Sequence, residues 1–155
     1  MSTKNSNFFS RDCMVQALIQ LLKTKSLSNI TITELTERAG VSRMTYYRNY
    51  HSLDEIFSSY LKDLVEYQEG QVVSKTLVQN DYVSMTIFSF DKGEEISTHA
   101  AGGDAMVTVL EGKGRFTVGG EVFYVEEGET LIMPKDIPHA VYGEERFKMQ
   151  LTVSF

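Results

Sequence analysis

The chain has 155 residues, 42% of them hydrophobic and 23% charged, with a net charge of −6. That composition suits one ordinary domain or two small ones and excludes a disordered chain. No apolar run approaches the roughly 18 residues of a membrane span. The start, MSTKNSNFFSRDC, carries no apolar signal-peptide core, and the lone Cys13 excludes an intramolecular disulfide framework. The expected setting is cytoplasmic, with no membrane partner.

The average conceals two unlike halves. Residues 1–69 contain one glycine, Gly40, and no proline; the other ten glycines and both prolines, Pro134 and Pro138, follow. Up to Gln68 there are eight Lys and Arg against seven Asp and Glu, a net charge of +1. From Glu69 on there are seven against fourteen, a net charge of −7. The acidity belongs to the second half alone, so it does not argue against a nucleic-acid partner for the first. The reading is an all-α domain over 1–69 followed by an all-β domain over 70–155.

In the first half, Met14, Ala17, Leu18, Leu21 and Leu22 recur at helical spacing and make one apolar face. Ser10 is the expected N-cap of that helix, with Asp12 in its first turn. Cys13 beside that face reads as a small buried hydrophobe. Thr31-Ile32-Thr33-Glu34 reads as a capping box opening a second helix, with Leu35 and Ala39 on its inner face. Gly40 suits a left-handed helix stop. Ser42 is placed to cap a short third helix, Arg43 to Asn49. Ser52 and Glu55 form a capping box for a fourth, about Leu53 to Tyr67.

Two short helices joined around Gly40-Val41-Ser42 give a helix-turn-helix pattern, a spacing that small helical bundles also share. The residues are more specific. Ile32-Thr-Glu-Leu-Thr-Glu-Arg-Ala-Gly-Val-Ser-Arg-Met-Thr-Tyr-Tyr-Arg-Asn-Tyr50 closely resembles the N-terminal DNA-binding domain of the TetR family of transcriptional regulators. The resemblance runs from about Phe9 to Tyr67. It implies that Arg43 to Asn49 is a recognition helix entering the major groove of double-stranded DNA.

That resemblance assigns base contact to Arg43 and Met44, with Arg43 pairing with guanine. It assigns phosphate contact to Thr45 and Tyr47, and either role to Tyr46. Thr33 and Ser42 complete the DNA-facing set, and Arg48 is either a contact or a solvated charge. Val41, Leu35 and Tyr50 fall to the core. Relatives commonly carry His at the position of Asn49 and Lys at the position of Leu53. His51 is the candidate to replace that lysine at a phosphate. With a net charge of only +1 on this half, the expected binder is a homodimer on a palindromic operator.

The second half changes character. Val-, Thr- and Phe-rich runs are separated by Gly and acidic turns: Tyr82–Phe90, Ala105–Leu110, Arg115–Val118, Val122–Val125, Thr130–Met133, Ala140–Tyr142 and Phe147–Phe155. Short strands at this spacing predict a β-sandwich or barrel, with Gly119-Gly120 as a two-residue hairpin turn. Gly93, His99, Ala101, Ala105 and Gly112, then Gly128, Pro134, Asp136 and His139, resemble the two sequence motifs of the cupin superfamily. The resemblance covers about Val72 to Phe155 and implies a small double-stranded β-helix (jelly-roll) barrel. Pro138 stiffens the chain just before His139.

In many cupins three His and one carboxylate hold a divalent metal such as Zn, Fe, Mn or Ni. Here His99 and His139 remain, while Ala101 and Ala105 occupy the other two positions. Asp104 adjoins the acid position on the opposite strand face. Two imidazoles make an incomplete metal shell. A metal-free pocket is the favoured expectation, anchored by His99 and His139 and lined by Met85, Ile87, Met106, Thr108, Met133 and Tyr142.

Together the halves imply a one-component regulator, a repressor by the commoner arrangement among relatives. Its barrel would bind a small-molecule effector and pair with its twin. The rival reading is a small cupin metalloenzyme, of dioxygenase or isomerase type, with an accessory DNA-binding domain. It requires a complete metal site or an acid/base pair, and neither is evident in the sequence. In a third reading the barrel only dimerises the DNA reader.

Overall fold

Helix α1 (Thr3–Leu22) turns Met14, Ala17, Leu18 and Leu21 into a fully buried stripe, the face their spacing dictates. The structure, a computed structural model, describes residues 3–155, with side chains from Phe9 onward. The chain divides into two units, residues 1–60 and 61–155.

In the first unit α1 begins well before the expected cap. Ser10 and Asp12 lie inside the helix, because no Gly or Pro in the preceding stretch stops it. A short 3-10 turn (Leu27–Asn29) leads to α2 (Ile32–Ala39) and α3 (Arg43–Asn49). Thr31 caps α2 by accepting from the Glu34 amide at 3.2 Å. Gly40 ends α2 at φ +66°, a left-handed conformation that favours glycine. Ser42 then caps α3, accepting from the Thr45 amide at 3.1 Å. The core of this unit joins the α1 stripe to Ile30, Leu35, Tyr46, Tyr50 and Ile56.

Helix α4 (Leu53–Asp63) opens on its expected capping residues. The Glu55 amide donates to Ser52 Oγ at 3.2 Å, and Glu55 Oε2 accepts from the His51 amide at 2.7 Å. It ends at Asp63, short of the expected Tyr67. The reason lies in the second unit. Lys148 Nζ donates to the Lys62 carbonyl at 2.7 Å, and Ser89 Oγ donates to the Glu66 carbonyl at 2.9 Å. Carbonyls that a longer helix would satisfy internally are taken by strand side chains instead. The unit division accordingly falls before Leu61 and not near Gly70.

The second unit is a two-sheet antiparallel sandwich. Its strands are β1 (Val72–Gln79), β2 (Val83–Phe90), β3 (Glu95–His99), β4 (Asp104–Glu111), β5 (Lys113–Val118), β6 (Glu121–Glu126), β7 (Thr130–Met133), β8 (His139–Tyr142) and β9 (Phe147–Ser154). One sheet has the order β1-β2-β9-β4-β7, the other β3-β8-β5-β6. The sequence named seven of these strands. It missed β1 and β3, whose burial is slight because they lie at sheet edges. Gly119 and Gly120 turn the β5–β6 hairpin at φ +58° and +89°, as a two-residue turn of this type requires. Between the sheets lie Phe90, Val107, Val109, Phe116, Met133, Val141, Phe147 and Met149. Phe90 stacks on Phe147 at 4.6 Å, and Phe116 meets Phe147 edge-on at 6.2 Å.

Candidate functional site

Two sets of candidate residues lie one in each unit. On the first unit, α3 presents Ser42, Arg43, Met44, Tyr47 and Arg48 to solvent, and Thr33 and Thr45 are half-buried. Met44 is 70% exposed and Tyr47 56%, high values for apolar and aromatic side chains. Arg43 donates from its guanidinium to Thr33 Oγ1, tying α3 to α2. Ser42 and Thr45 share a hydroxyl hydrogen bond at 2.9 Å, and Asn49 Nδ2 donates to the Thr45 carbonyl at 2.7 Å. His51 is exposed, just beyond the end of α3.

Tyr46 departs from expectation. It is fully buried, packed edge-on to Tyr47 at 5.2 Å and tilted against Tyr50 at 6.4 Å. On a helix of 3.6 residues per turn, Tyr46 and Tyr50 share the inner face, which leaves Met44 and Tyr47 outside. Tyr46 is therefore a core residue and not a DNA-facing one. Its hydroxyl is buried without a hydrogen-bond partner among the described residues. Burial pushes that hydroxyl's pKa upward, with smaller contributions from Tyr47, Glu55 and Asp54. Leu35 and Tyr50 are buried as expected, and Val41 packs at the core's margin. Cys13 is half-buried.

On the second unit, His99 and His139 come together. They are paired residues on β3 and β8, and their ring centroids lie 4.5 Å apart at 65°. A register shift between Ile96 and His99 re-aims the end of β3 and sets this pairing. His139 is buried and His99 exposed, so the pair sits at a rim. His99 Nδ1 lies 3.0 Å from the Ser97 carbonyl and His139 Nδ1 2.9 Å from the Ile137 carbonyl. A carbonyl only accepts, so each Nδ1 carries the proton. In a ring with that tautomer the lone pair lies on Nε2. The two motif loops are stitched together beside the pair. The Asp136 amide donates to the Ala101 carbonyl at 3.0 Å, and the Lys135 amide donates to Asp104 Oδ1 at 2.9 Å. Asp136 holds φ +63°, an uncommon conformation for a residue with a side chain.

Most of the expected pocket lining faces elsewhere. Of those residues Met133 lies in the core between the sheets. On β4, Ala105, Val107 and Val109 point inward and alternate with Met106 and Thr108, which point outward. Thr108 pairs through its hydroxyl with Thr130 at 3.0 Å on that outer face. On β2, Phe88 and Phe90 pack inward, which puts Met85 and Ile87 outside. Ile87 is nonetheless fully buried there. Tyr142 alternates with inward Val141 and lies on the outer face of the other sheet, under the Arg115 guanidinium at 4.6 Å. The misplacements share one cause: a period of two fixes alternation but not which set faces in.

Two features went unforeseen. On the outer face of the β3-β8-β5-β6 sheet, Glu144 accepts from Arg115 at 3.4 Å and from the Tyr124 hydroxyl at 3.2 Å. On the outer face of the five-stranded sheet, residues 62–71 clasp one end. Tyr67 donates to Glu111 at 2.9 Å, and Asp91 accepts from Arg146 Nε at 2.5 Å and from the Gly70 amide at 2.7 Å. Tyr67 is driven to a much higher pKa, first by burial and then by its bond to Glu111. No local periodicity signals such contacts, because the partners lie far apart in the chain.

The comparisons with known proteins concern this second unit. A cupin-domain family model matches residues 86–155. A conserved protein of unknown function from Streptococcus pyogenes is 46% identical, with a TM-score of 0.59 over 61% of this chain and 82% of its own. A cupin superfamily protein from Desulfitobacterium hafniense is 32% identical, with a TM-score of 0.58 over 60% of this chain and 85% of its own. The chain belongs to the cupin superfamily. A cupin 2 conserved barrel domain protein from Leptotrichia buccalis is 50% identical, with a TM-score of 0.60 over 61% of this chain but only 46% of its own. No curated protein matches the chain.

The superfamily's divalent-metal site does not fit the residues present. Ala101 and Ala105 offer no donor atoms, and Asp104 is engaged by the Lys135 amide. Among the described residues no group of three His, Cys, Asp or Glu side chains converges on a point. A structural or catalytic metal needs at least three protein ligands in sites of this kind. Among the described residues no helix is long and apolar enough to cross a membrane.

Proposed function

We propose that the chain is a DNA-binding transcriptional regulator, a repressor, in which a cupin barrel stands where TetR-like proteins carry a helical ligand-binding domain. The observation that carries this reading is the outer face of α3. A helix capped by Ser42, entered from left-handed Gly40, turns Arg43, Met44, Tyr47 and Arg48 to solvent in a TetR-like sequence. Met44 and the outer edge of Tyr47 are open there to a partner. The bond from Arg43 to Thr33 pre-orders the guanidinium and leaves other N–H donors for guanine O6 and N7. Thr45, Tyr47 and His51 supply phosphate contacts.

In this reading the protein acts as a homodimer on palindromic double-stranded DNA. The barrel takes a small organic effector at the His99–His139 rim. Two Nε2 lone pairs there accept hydrogen bonds, which suits a hydroxyl donor such as a phenol. Effector binding and DNA binding are coupled reciprocally.

The test is a shift assay of the full chain on the DNA upstream of its own gene. Wild type is expected to retard that fragment. Arg43→Ala is expected to relax base preference at its contact by about 1–3 kcal/mol. Tyr47→Phe is expected to weaken all sequences about equally. A wild-type chain that binds no such fragment overturns the reading. Turnover of small acids or phenols with a stoichiometric redox metal would replace it with the enzyme reading.

A further inference from the structure

We propose that Met44 reads thymine: its thioether packs on the C5-methyl group of a thymine in the operator, in a base pair next to the guanine addressed by Arg43. The inference rests on the DNA reading proposed above and names a base which that reading leaves open.

Among the described residues Met14, Met133 and Met149 are buried, and Met85 and Met106 lie partly covered on the barrel. Met44, at 70%, is the most exposed of these methionines. The side chains around it are already held. Arg43 donates to Thr33 Oγ1, and the Ser42 and Thr45 hydroxyls bond each other at 2.9 Å. The Tyr47 ring, one turn on, lies edge-on against buried Tyr46 at 5.2 Å. Met44 thus stands in an ordered frame, as the one aliphatic side chain among Ser42, Arg43, Tyr47 and Arg48 on the outer face of α3.

What such a group can read follows from the groove. Adenine, guanine and cytosine present hydrogen-bond donors and acceptors in the major groove; only thymine adds a methyl group. A thioether donates nothing and accepts weakly. Pressed on N7, O6 or N4, it strips water from a polar atom and returns no bond, which costs free energy. Pressed on the thymine methyl, it takes two apolar surfaces out of water together, which is favourable. The sign of the contact therefore separates thymine from the other three bases. An unbranched side chain with three rotatable bonds can follow the methyl without distorting α3. Successive Cα atoms lie about 3.8 Å apart and successive base pairs about 3.4 Å, so neighbouring residues reach neighbouring pairs. Arg43 reads by hydrogen bonds and Met44 by apolar contact, which together suit a guanine beside a thymine.

The experiment removes the methyl and nothing else. The fragment that wild type retards in the shift assay is remade with deoxyuridine for thymidine, first throughout and then at one position in each half-site. Deoxyuridine pairs with adenine as thymidine does and lacks only the C5-methyl group. At one thymine, its loss is expected to weaken wild type roughly fourfold per half-site, and on the order of fifteenfold with both half-sites changed. Met44→Ala is expected to bind the thymidine fragment more weakly by a similar factor and to be indifferent to the replacement. Met44→Leu keeps an apolar side chain and is expected to keep the sensitivity. Both variants change an exposed side chain and are expected to show wild-type circular dichroism.

A wild type that binds the fragment and is indifferent to deoxyuridine at every thymine overturns this inference and leaves the DNA reading standing. So does a Met44→Ala chain as sensitive as wild type, which would give the methyl contact to another side chain. A wild type that retards no thymidine fragment removes both.

Discussion

The two units organise their surfaces on different length scales. On α2 and α3 the ordering contacts are near neighbours: Thr31 with Glu34, Ser42 with Thr45, Thr45 with Asn49. In the barrel they join distant residues: Lys148 with Lys62, Asp91 with Arg146, Tyr67 with Glu111. A change at one of these helix caps should therefore be felt locally and weakly. A change in the barrel should be felt by the whole sandwich, because every strand there is ordered by another.

The largest break of that contrast should come at Phe147. It is fully buried, stacked on Phe90 and edge-on to Phe116, so it joins both sheets. Phe147→Ala is expected to destabilise the barrel by about 3–5 kcal/mol. Urea unfolding followed by tyrosine fluorescence and circular dichroism measures it. A cost under about 1 kcal/mol would mean that the core is not organised around this ring.

The matching change on the helices is Ser42→Ala. It removes the acceptor for the Thr45 amide and is expected to cost about 1 kcal/mol. The loss should appear as reduced helicity, with the barrel's unfolding midpoint unmoved. A Ser42→Ala chain whose barrel melts earlier would show that the two length scales are not separate.

The same contrast explains what the sequence could disclose. The exact span of α3, its cap and the stop at Gly40 follow from residues within one turn of each other, and all were legible. So was the strand-and-turn character after Gly70, while the meeting of His99 and His139 followed from the resemblance to the cupin motifs. What stayed hidden depends on distant partners. Alternation along β2 and β4 was readable, but the inward set is chosen by Phe147 and Met149 on β9, at the far end of the chain. Met85, Met106 and Thr108 were therefore assigned to the wrong face. The early end of α4 depends likewise on Lys148 and Ser89.

A third test addresses the clasp that carries this distant order. Arg146, then the Gly70 amide, holds the Asp91 carboxyl down to about 2, against an ordinary value of 3.8. A carboxylate with a lowered folded-state pKa stabilises fully above its unfolded value, and that contribution disappears as pH falls through the folded value. The window here runs from about pH 4 down to about pH 2. Asp91→Asn removes it, so the variant's stability should fall less steeply across that window than wild type's. Acid titration of the unfolding midpoint reads the difference. Equal slopes would show that the clasp does not couple residues 62–71 to the sheet.

The smallest expected effect is the most discriminating for the helices. Tyr46 is fully buried with a hydroxyl that finds no partner among the described residues. A polar group left unpaired in a core costs stability, and removing it returns some of that cost. Tyr46→Phe is expected to be neutral or stabilising by up to about 1 kcal/mol, with the proposed DNA affinity unchanged. Under the proposed function its neighbour Tyr47→Phe should do the reverse, leaving stability alone and weakening DNA binding. The two substitutions delete the same atom one residue apart, so they share every trivial effect on composition and expression. If Tyr46→Phe lost DNA binding at unchanged stability, its hydroxyl would have to reach DNA from inside the helical core. The face assigned by helical spacing would then be wrong in the unit where local rules hold best.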